Sequence, residues 1–305
     1  MAATYSADEI IELTGARMAA GMTPDEAGEI AVDTRIDLTG AWFVALTGKN
    51  YDGHDFIGDA FSAGALGCIV ADRPSYPIAA TSFPLLAVDD TEIALGLLAR
   101  NWRRRTRKKI VLVAASSLSQ VSQMAHTLYE DLDAALEQTP STVSSSSDFS
   151  APSPEAPKRG PHLSTQFSLD PAGAFPQAGA PFYVGEDQVQ SLLTNWKLNA
   201  ADILTRFLNL PDEVEYLVAD FAPTRLDSAL WLIEELAPNA LLLAEDSYDF
   251  ARITEDPLLL KEKMIEAIVA AKGQAFTDSA AMADKFQIRL LANSDYQPVL
   301  KQLGL

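Results

Sequence analysis

Hydrophobic and polar positions along this chain recur with two different periods, and the switches between them lay out alternating strands and helices. Near the start, Ser6 and the apolar positions Ile10, Ile11 and Leu13 predict a short helix, with Glu9 completing a capping box. WFVALTG has the content of a strand ending at Gly48, and helical spacing follows at Phe56, Ala60 and Ala63. GCIVAD and FPLLAVDD predict two more strands, and a helix begins near Thr91. KIVLVAASS is a continuous apolar run, as in a parallel strand covered on both faces. It leads into helical spacing at Val121, Met124, Ala125 and Leu128.

Past residue 182 the same rhythm returns. SLLTNWKLNAADILTRFLNL predicts a helix, VEYLVADFA a buried strand, DSALWLIEELAP a helix ended by Pro238, and NALLLAED a strand. PLLLKEKMIEAIVAAKG predicts a helix stopped at Gly273, and FQIRLLAN a final strand before a tail helix. The alternation implies an α/β fold in two parts: a small α/β unit over 1–108 and a parallel three-layer α/β domain over 109–305. Inside the second part, 137–181 is Ser-, Pro- and Gly-rich, which predicts a flexible insert with His162 solvated within it.

Composition narrows the function classes. The 305 residues carry a net charge of -19, concentrated in the second part: 110–305 hold 12 Lys+Arg against 27 Asp+Glu. Such a balance repels a nucleic-acid backbone. The exception is the run Arg103-Arg104-Arg105-Thr106-Arg107-Lys108-Lys109, which is expected to be a helix end with solvated charges complementing the dipole. No apolar run approaches the ~20 residues of a membrane span. With no basic-then-apolar leader at Met1–Ile10 and a single cysteine, Cys68, expected to be buried in LGCIVA, the expectation is a cytoplasmic protein without disulfides.

Candidate chemistry sits in VDTRIDLTGAWFVALTGKNYDGHDFIGDAFSAGALGCIV. Glycines allow close backbone approach to a ligand, Arg35 offers a planar fork for phosphate or carboxylate, and Asp52-Gly53-His54 is a polar turn. An equally simple reading makes Asp33 and Arg35 a structural ion pair and the turn a matter of shape. The order Asp33-Thr34-Arg35, Gly40, Phe43, Ala45, Gly48, Asp52-Gly53-His54, Phe56 and Gly64-Ala65 resembles the N-terminal domain of the Mur ligases of cell-wall synthesis, especially the D-alanyl-D-alanine-adding branch. The resemblance covers 1–136 and, more faintly, 182–275.

That resemblance implies a first domain that receives the UDP end of a muropeptide, with Thr34, Arg35, Gly48, Asp52, Gly53 and His54 as substrate-binding positions. It also implies a P-loop-like central domain using ATP and Mg²⁺, and a third, C-terminal ligase domain. The family's phosphate loop, Thr-Gly-x-x-Gly-Lys-Thr-x-Thr, is replaced here. Aligned after IVLV stand Ala114, Ala115, Ser116, Ser117, Leu118, Ser119 and Gln120. Both glycines and the phosphate-binding lysine are gone, so loss of ATP and Mg²⁺ is expected. Asn195-Trp196-Lys197-Leu198 replaces the family's Asn-aromatic-Asn-Asn stretch, and the modified lysine aligns with Lys263 or Lys261. No catalytic or metal residue is assigned, although Asp220, Glu245, Asp246 and Asp249 would gather at strand ends, as acidic loop tips or a cation site. Nor does a C-terminal ligase domain follow DYQPVLKQLGL, so it is expected to be absent.

The expected function is therefore a pseudo-ligase that binds a UDP-linked muropeptide or nucleotide sugar, or a protein partner in cell-wall synthesis. Two alternatives stand beside it: an interaction protein with no small-molecule ligand, and an ATP-dependent ligase completed by another chain. Neither nucleic acid nor membrane is an expected partner.

Overall fold

In the computed structural model, the described residues are 2–48, 52–72, 82–114, 118–138, 181–184, 200–212, 214–221, 226–244 and 256–305. They form two sheets separated by a layer of helices. The first sheet has the order β1-β5-β4-β3-β2, from Arg17–Ala20 (β1), Glu29–Ala31 (β2), Ala41–Val44 (β3), Gly67–Ala71 (β4) and Leu85–Val88 (β5). All its pairings are parallel except β1 with β5. The second sheet is parallel throughout, in the order β11-β10-β9-β6-β8-β7. Its strands are Lys109–Ala114 (β6), Pro181–Val184 (β7), Tyr216–Phe221 (β8), Ala240–Leu243 (β9), Gln274–Thr277 (β10) and Arg289–Leu290 (β11).

Alternation along the strands sorts the core into layers. In β6, Ile110, Leu112 and Ala114 join one buried cluster while Val111 and Val113 join another. The second cluster is closed by α4 (Leu118–Gln138), through Met124, Ala125, Leu128 and Leu132, and by α9 (Gln297–Leu303), through Val299, Leu300 and Leu303. The first runs between the sheets, through α1 (Ala7–Thr14), α3 (Thr91–Arg105), α5 (Ala200–Leu208), α6 (Leu226–Leu236) and α7 (Pro257–Ala270). The expected α/β architecture and the three-layer second part are thus present. On the outer face of the first sheet lies α2 (Ile57–Ser62), whose Ala60 joins a third buried cluster with Cys68, Val70 and Leu85.

Helix α3 is the seam. At its N-terminus Asp90 accepts bonds from the Glu92 and Ile93 amides. Gly96, in mid-helix, would ordinarily cost about 1 kcal/mol relative to Ala. Here a Cβ at that position would stand 2.6 Å from Trp231 Nε1 and 3.1 Å from Glu235 Cδ, so its absence lets α6 press against α3. Arg100 then pairs with Glu235 through bonds of 2.7 and 2.9 Å.

Three expectations need correction. The basic run is not simply solvated. Arg103 donates to the carbonyls of Leu236, Ala237 and Lys108, which closes the open end of α6, and buried Lys108 donates to Pro211 and Val214. Helix α7 is stopped by Lys272, in the left-handed region at φ 65°, and not by Gly273, whose missing Cβ makes room for the Pro238 carbonyl. The strand expected in FQIRLLAN shrinks to Arg289–Leu290, because α8 (Ala280–Phe286) occupies the segment before it. QAFT supplies the full neighbour of β9 instead. The capping box at Ser6 and Glu9 forms as read, and Cys68 is buried, which pushes its thiol up to about 12. Most of the predicted insert, and His162 with it, lies outside the described residues.

Candidate functional site at the carboxyl edge of the first sheet

Parallel strands deliver their loops to one edge, and in open α/β sheets that carboxyl edge is where ligands bind. Here β2 delivers Asp33–Arg35, β3 delivers the segment ending in Asp52-Gly53-His54, β4 delivers Asp72, and β5 delivers Asp89–Glu92. A cleft of about 230 Å³ opens there, lined by Thr47, Ala71, Asp89, Asp90, Thr91 and Glu92.

The turn after β3 is held from several directions. The Gly53 amide donates to the Leu46 carbonyl at 2.8 Å. A Cβ on Gly53 would stand 2.7 Å from both Leu46 N and Leu46 O, so only glycine fits without moving backbone. Asp52 caps the short 3₁₀ turn Gly53–Phe56: its Oδ1 accepts from the His54 amide at 3.1 Å and from Thr47 Oγ1 at 3.3 Å. The His54 ring is 2 % exposed. Its Nδ1 lies 2.5 Å from Asp52 Oδ1, and its Nε2 accepts the Ala71 amide at 2.8 Å. An Nε2 that accepts cannot carry the proton, so the bonding assigns the neutral Nδ1–H tautomer, donating to Asp52. His54 therefore braces the edge from inside and presents neither ring nitrogen to a ligand.

Arg35 and Asp33 form the ion pair the sequence allowed. Bonds of 2.8 Å from Nε and 2.6 Å from Nη2 occupy one edge of the guanidinium, and the Arg35 amide donates to the same carboxylate. The partnership holds the Asp33 carboxyl below its ordinary range and raises the guanidinium. The Arg35 side chain is 87 % exposed. Neither Arg35 nor Thr34 lines the cleft, whereas Thr47, beside Gly48, does. The missed contributors are Asp89, Asp90, Thr91 and Glu92. Their signal was the DDTE run at a strand–helix junction, which the sequence shows as a helix start only. Three carboxylates on the walls make the cleft hostile to phosphate.

The second sheet has its own edge, at the switch point beyond β6, where β8 lies on one side and β9 on the other. Ala114 closes β6 and accepts the Ala244 amide at 3.0 Å. Ala115, Ser116 and Ser117 lie outside the described residues, as do the side chains of Leu118, Ser119, Gln120 and Asp220. Asn195-Trp196-Lys197-Leu198, Glu245, Asp246 and Asp249 also fall outside them. The segment Ala114–Gln120 contains no basic residue and no glycine. Of the two candidate lysines, Lys261 is buried and Lys263 pairs with Glu266 at 2.6 Å on the surface.

No family model matches the chain. Among curated proteins, it is 40 % identical over 87 residues to the UDP-N-acetylmuramoyl-tripeptide–D-alanyl-D-alanine ligase of Synechocystis, spanning 28 % of this chain and 19 % of that protein. The ligase of the same name from Escherichia coli is 33 % identical over 126 residues, 38 % of this chain and 26 % of its own length. A 2,6-diaminopimelate-adding ligase of Parabacteroides distasonis is 31 % identical over 122 residues, 40 % of this chain and 25 % of its own length. Among solved structures, MurF from Acinetobacter baumannii superposes with a TM-score of 0.62 at 16 % identity, covering 94 % of this chain and 52 % of that one. MurF from Thermotoga maritima, solved with ADP, gives 0.54 at 18 % identity over 86 % of this chain and 49 % of its own. The chain thus spans about half the length of the solved relatives.

Proposed function

We propose that this chain, a MurF-type relative of the Mur ligases in sequence and in fold, is a binding protein on a ligase scaffold and does not drive ligation with ATP. Its ligand is a UDP-linked muropeptide or a related nucleotide sugar, taken at the carboxyl edge of the first sheet. The observation that carries this reading is the unequal make-up of the two edges. The turn after β3 keeps its glycine, its aspartate cap and its braced histidine, while Ala114–Gln120 offers a triphosphate neither glycine nor lysine. Acidic walls push a diphosphate away from the cleft and toward Arg35, whose second guanidinium edge faces no described partner.

Calorimetry on the full chain tests this, with UDP, a UDP-MurNAc-tripeptide and Mg²⁺-ATP titrated separately. Saturable binding of the UDP-muropeptide, no heat from Mg²⁺-ATP and no ATP hydrolysis are expected. A Mg²⁺-dependent ATP site of about micromolar affinity overturns the proposal. No UDP-ligand binding at about millimolar concentration shifts the reading to an interaction protein, which the Asp33–Arg35 pair already favours in part.

A further inference from the structure

We infer that His54 is a proton-gated positioning residue, which ties the two walls of the first-sheet cleft together while its ring is neutral and lets one go on acidification. The inference rests on the proposed ligand edge for its consequence, but not for its physics. Strand β3 pairs with β4 only as far as Val44 and Ile69, followed by the Ala45 amide bonding to the Ile69 carbonyl. Beyond that point the Ala45 carbonyl accepts from Thr91 Oγ1 instead of from β4. The Ala71 amide, on the β3 side of β4, is satisfied by the lone pair on His54 Nε2 at 2.8 Å. One ring thereby prolongs the ladder past the end of β3.

The same ring grips the other wall. Its Nδ1 meets Asp52 Oδ1, and that oxygen also takes the Thr47 hydroxyl. Thr47 and Ala71 both line the cleft, so a single buried imidazole sets the distance between them. A doubly protonated ring keeps and strengthens its bond to Asp52, because an imidazolium suits a carboxylate. It has no lone pair left for Ala71, and two N–H groups then face each other in a site closed to water. The released side is Ala71, and the Thr47 turn follows the ring.

The charges around the ring do not alter which bond fails. On its own turn stand Asp52 and Asp55, and on α2 Asp59. Asp72, after β4, is held by Arg17 of β1 at 2.7 Å. Across the cleft lie Asp89, Asp90 and Glu92. None of these carboxylates can replace the acceptor that Ala71 loses.

The test uses the full ¹⁵N-labelled chain between about pH 7.5 and about pH 5, the range in which histidine serves as a switch. Ring ¹⁵N shifts report the state of His54, and the exchange of the Ala71 amide, corrected for intrinsic rate, reports the latch. Exchange at Ala71 should rise at least about tenfold as the ring protonates, while Val113 in β6 stays unchanged. His54→Gln keeps a carbonyl acceptor that does not titrate, and should remove the pH dependence. Unchanged Ala71 exchange across a completed ring titration overturns the inference, and so does a ring that stays neutral throughout. UDP affinity measured on the same samples separates the two claims. A latch that opens in a protein that never binds UDP leaves this inference standing and removes the ligand.

Discussion

The two sheets are built alike in the core and differently at their carboxyl edges. Both carry buried central strands such as β4 and β6, and both share the helix layer of α1, α3, α5 and α6. At the first edge, turn residues are tied to other segments: Gly53 to Leu46, His54 to Ala71, Thr91 to Ala45. At the second edge, the segment that follows β6, Ala114–Gln120, carries no glycine and no basic residue. Burial holds a core to any apolar residue of suitable volume, whereas an edge is specified by particular polar groups and particular missing side chains. A fold can therefore persist at 16 % identity to a solved relative while its edges vary.

The largest effect expected from that contrast lies at Gly53. Gly53→Ala should cost about 3 kcal/mol, because its Cβ must displace the backbone of Leu46, and not merely a side chain. Gly40→Ala is the matched control, since it also replaces a turn glycine, at φ 78°, but has open space around it; about 1 kcal/mol is expected. Urea midpoints at constant m-value measure both. Equal costs would show that the turn after β3 yields as readily as any exposed loop.

Next comes the seam between the units. Arg103→Ala should destabilise by about 2 kcal/mol, because the Leu236, Ala237 and Lys108 carbonyls lose one shared donor. Arg104→Ala, on the same basic run, should fall within about 0.5 kcal/mol of wild type. Thermal unfolding of the two variants in parallel decides whether the run is one clamp or a diffuse cluster of charge.

Periodicity made most of the elements legible, and the reasons for the failures are local. The run KIVLVA and the spacing of Met124, Ala125 and Leu128 are burial signals, and burial is what a sequence states most clearly. Strand β10 was missed because QAFT follows a glycine and is too short to show a period. The clamp of Arg103 could not be read because the α6-end carbonyls it grips, Leu236 and Ala237, lie more than 130 residues away. At the site, the turn residues were visible as a motif, but the motif could not distinguish a histidine that meets a ligand from one that closes a ladder. That difference lies in Ala71, 17 positions further on.

A smaller effect tests the ligand side of the comparison. Arg35→Ala should weaken UDP binding roughly tenfold, less than a free guanidinium would command, because Asp33 already occupies its Nε and Nη2. Asp33→Asn should act in the opposite direction and tighten UDP, since it frees that edge and removes a negative charge. Titration of both variants, with circular dichroism showing them folded, reads the result. If both bind as wild type does, the diphosphate contacts some other part of the edge.

The smallest expected effect concerns Glu235, and its sign can be worked out. Desolvation raises the Glu235 carboxyl above its ordinary 4.5, against the opposing pull of Arg100. Between 4.5 and the raised value, the folded chain holds a proton that the unfolded chain has released. This contribution to stability is complete below 4.5 and is lost as pH rises through the folded value. At neutral pH the ionised pair with Arg100 thus fixes how α6 sits on α3 more than it stabilises the seam. Glu235→Gln keeps an oxygen for Arg100, removes the titration, and should stay within about 1 kcal/mol of wild type at neutral pH. Carboxylates held low, such as Asp33 and Glu9, act in the opposite direction, so the informative quantity is the difference between the two proteins at each pH. Urea midpoints from about pH 4 to about pH 8 should show wild type losing stability relative to Glu235→Gln as pH rises. A difference that stays flat, or that grows in favour of wild type, would mean that Arg100 outweighs desolvation and that the seam draws net stability from its ion pair.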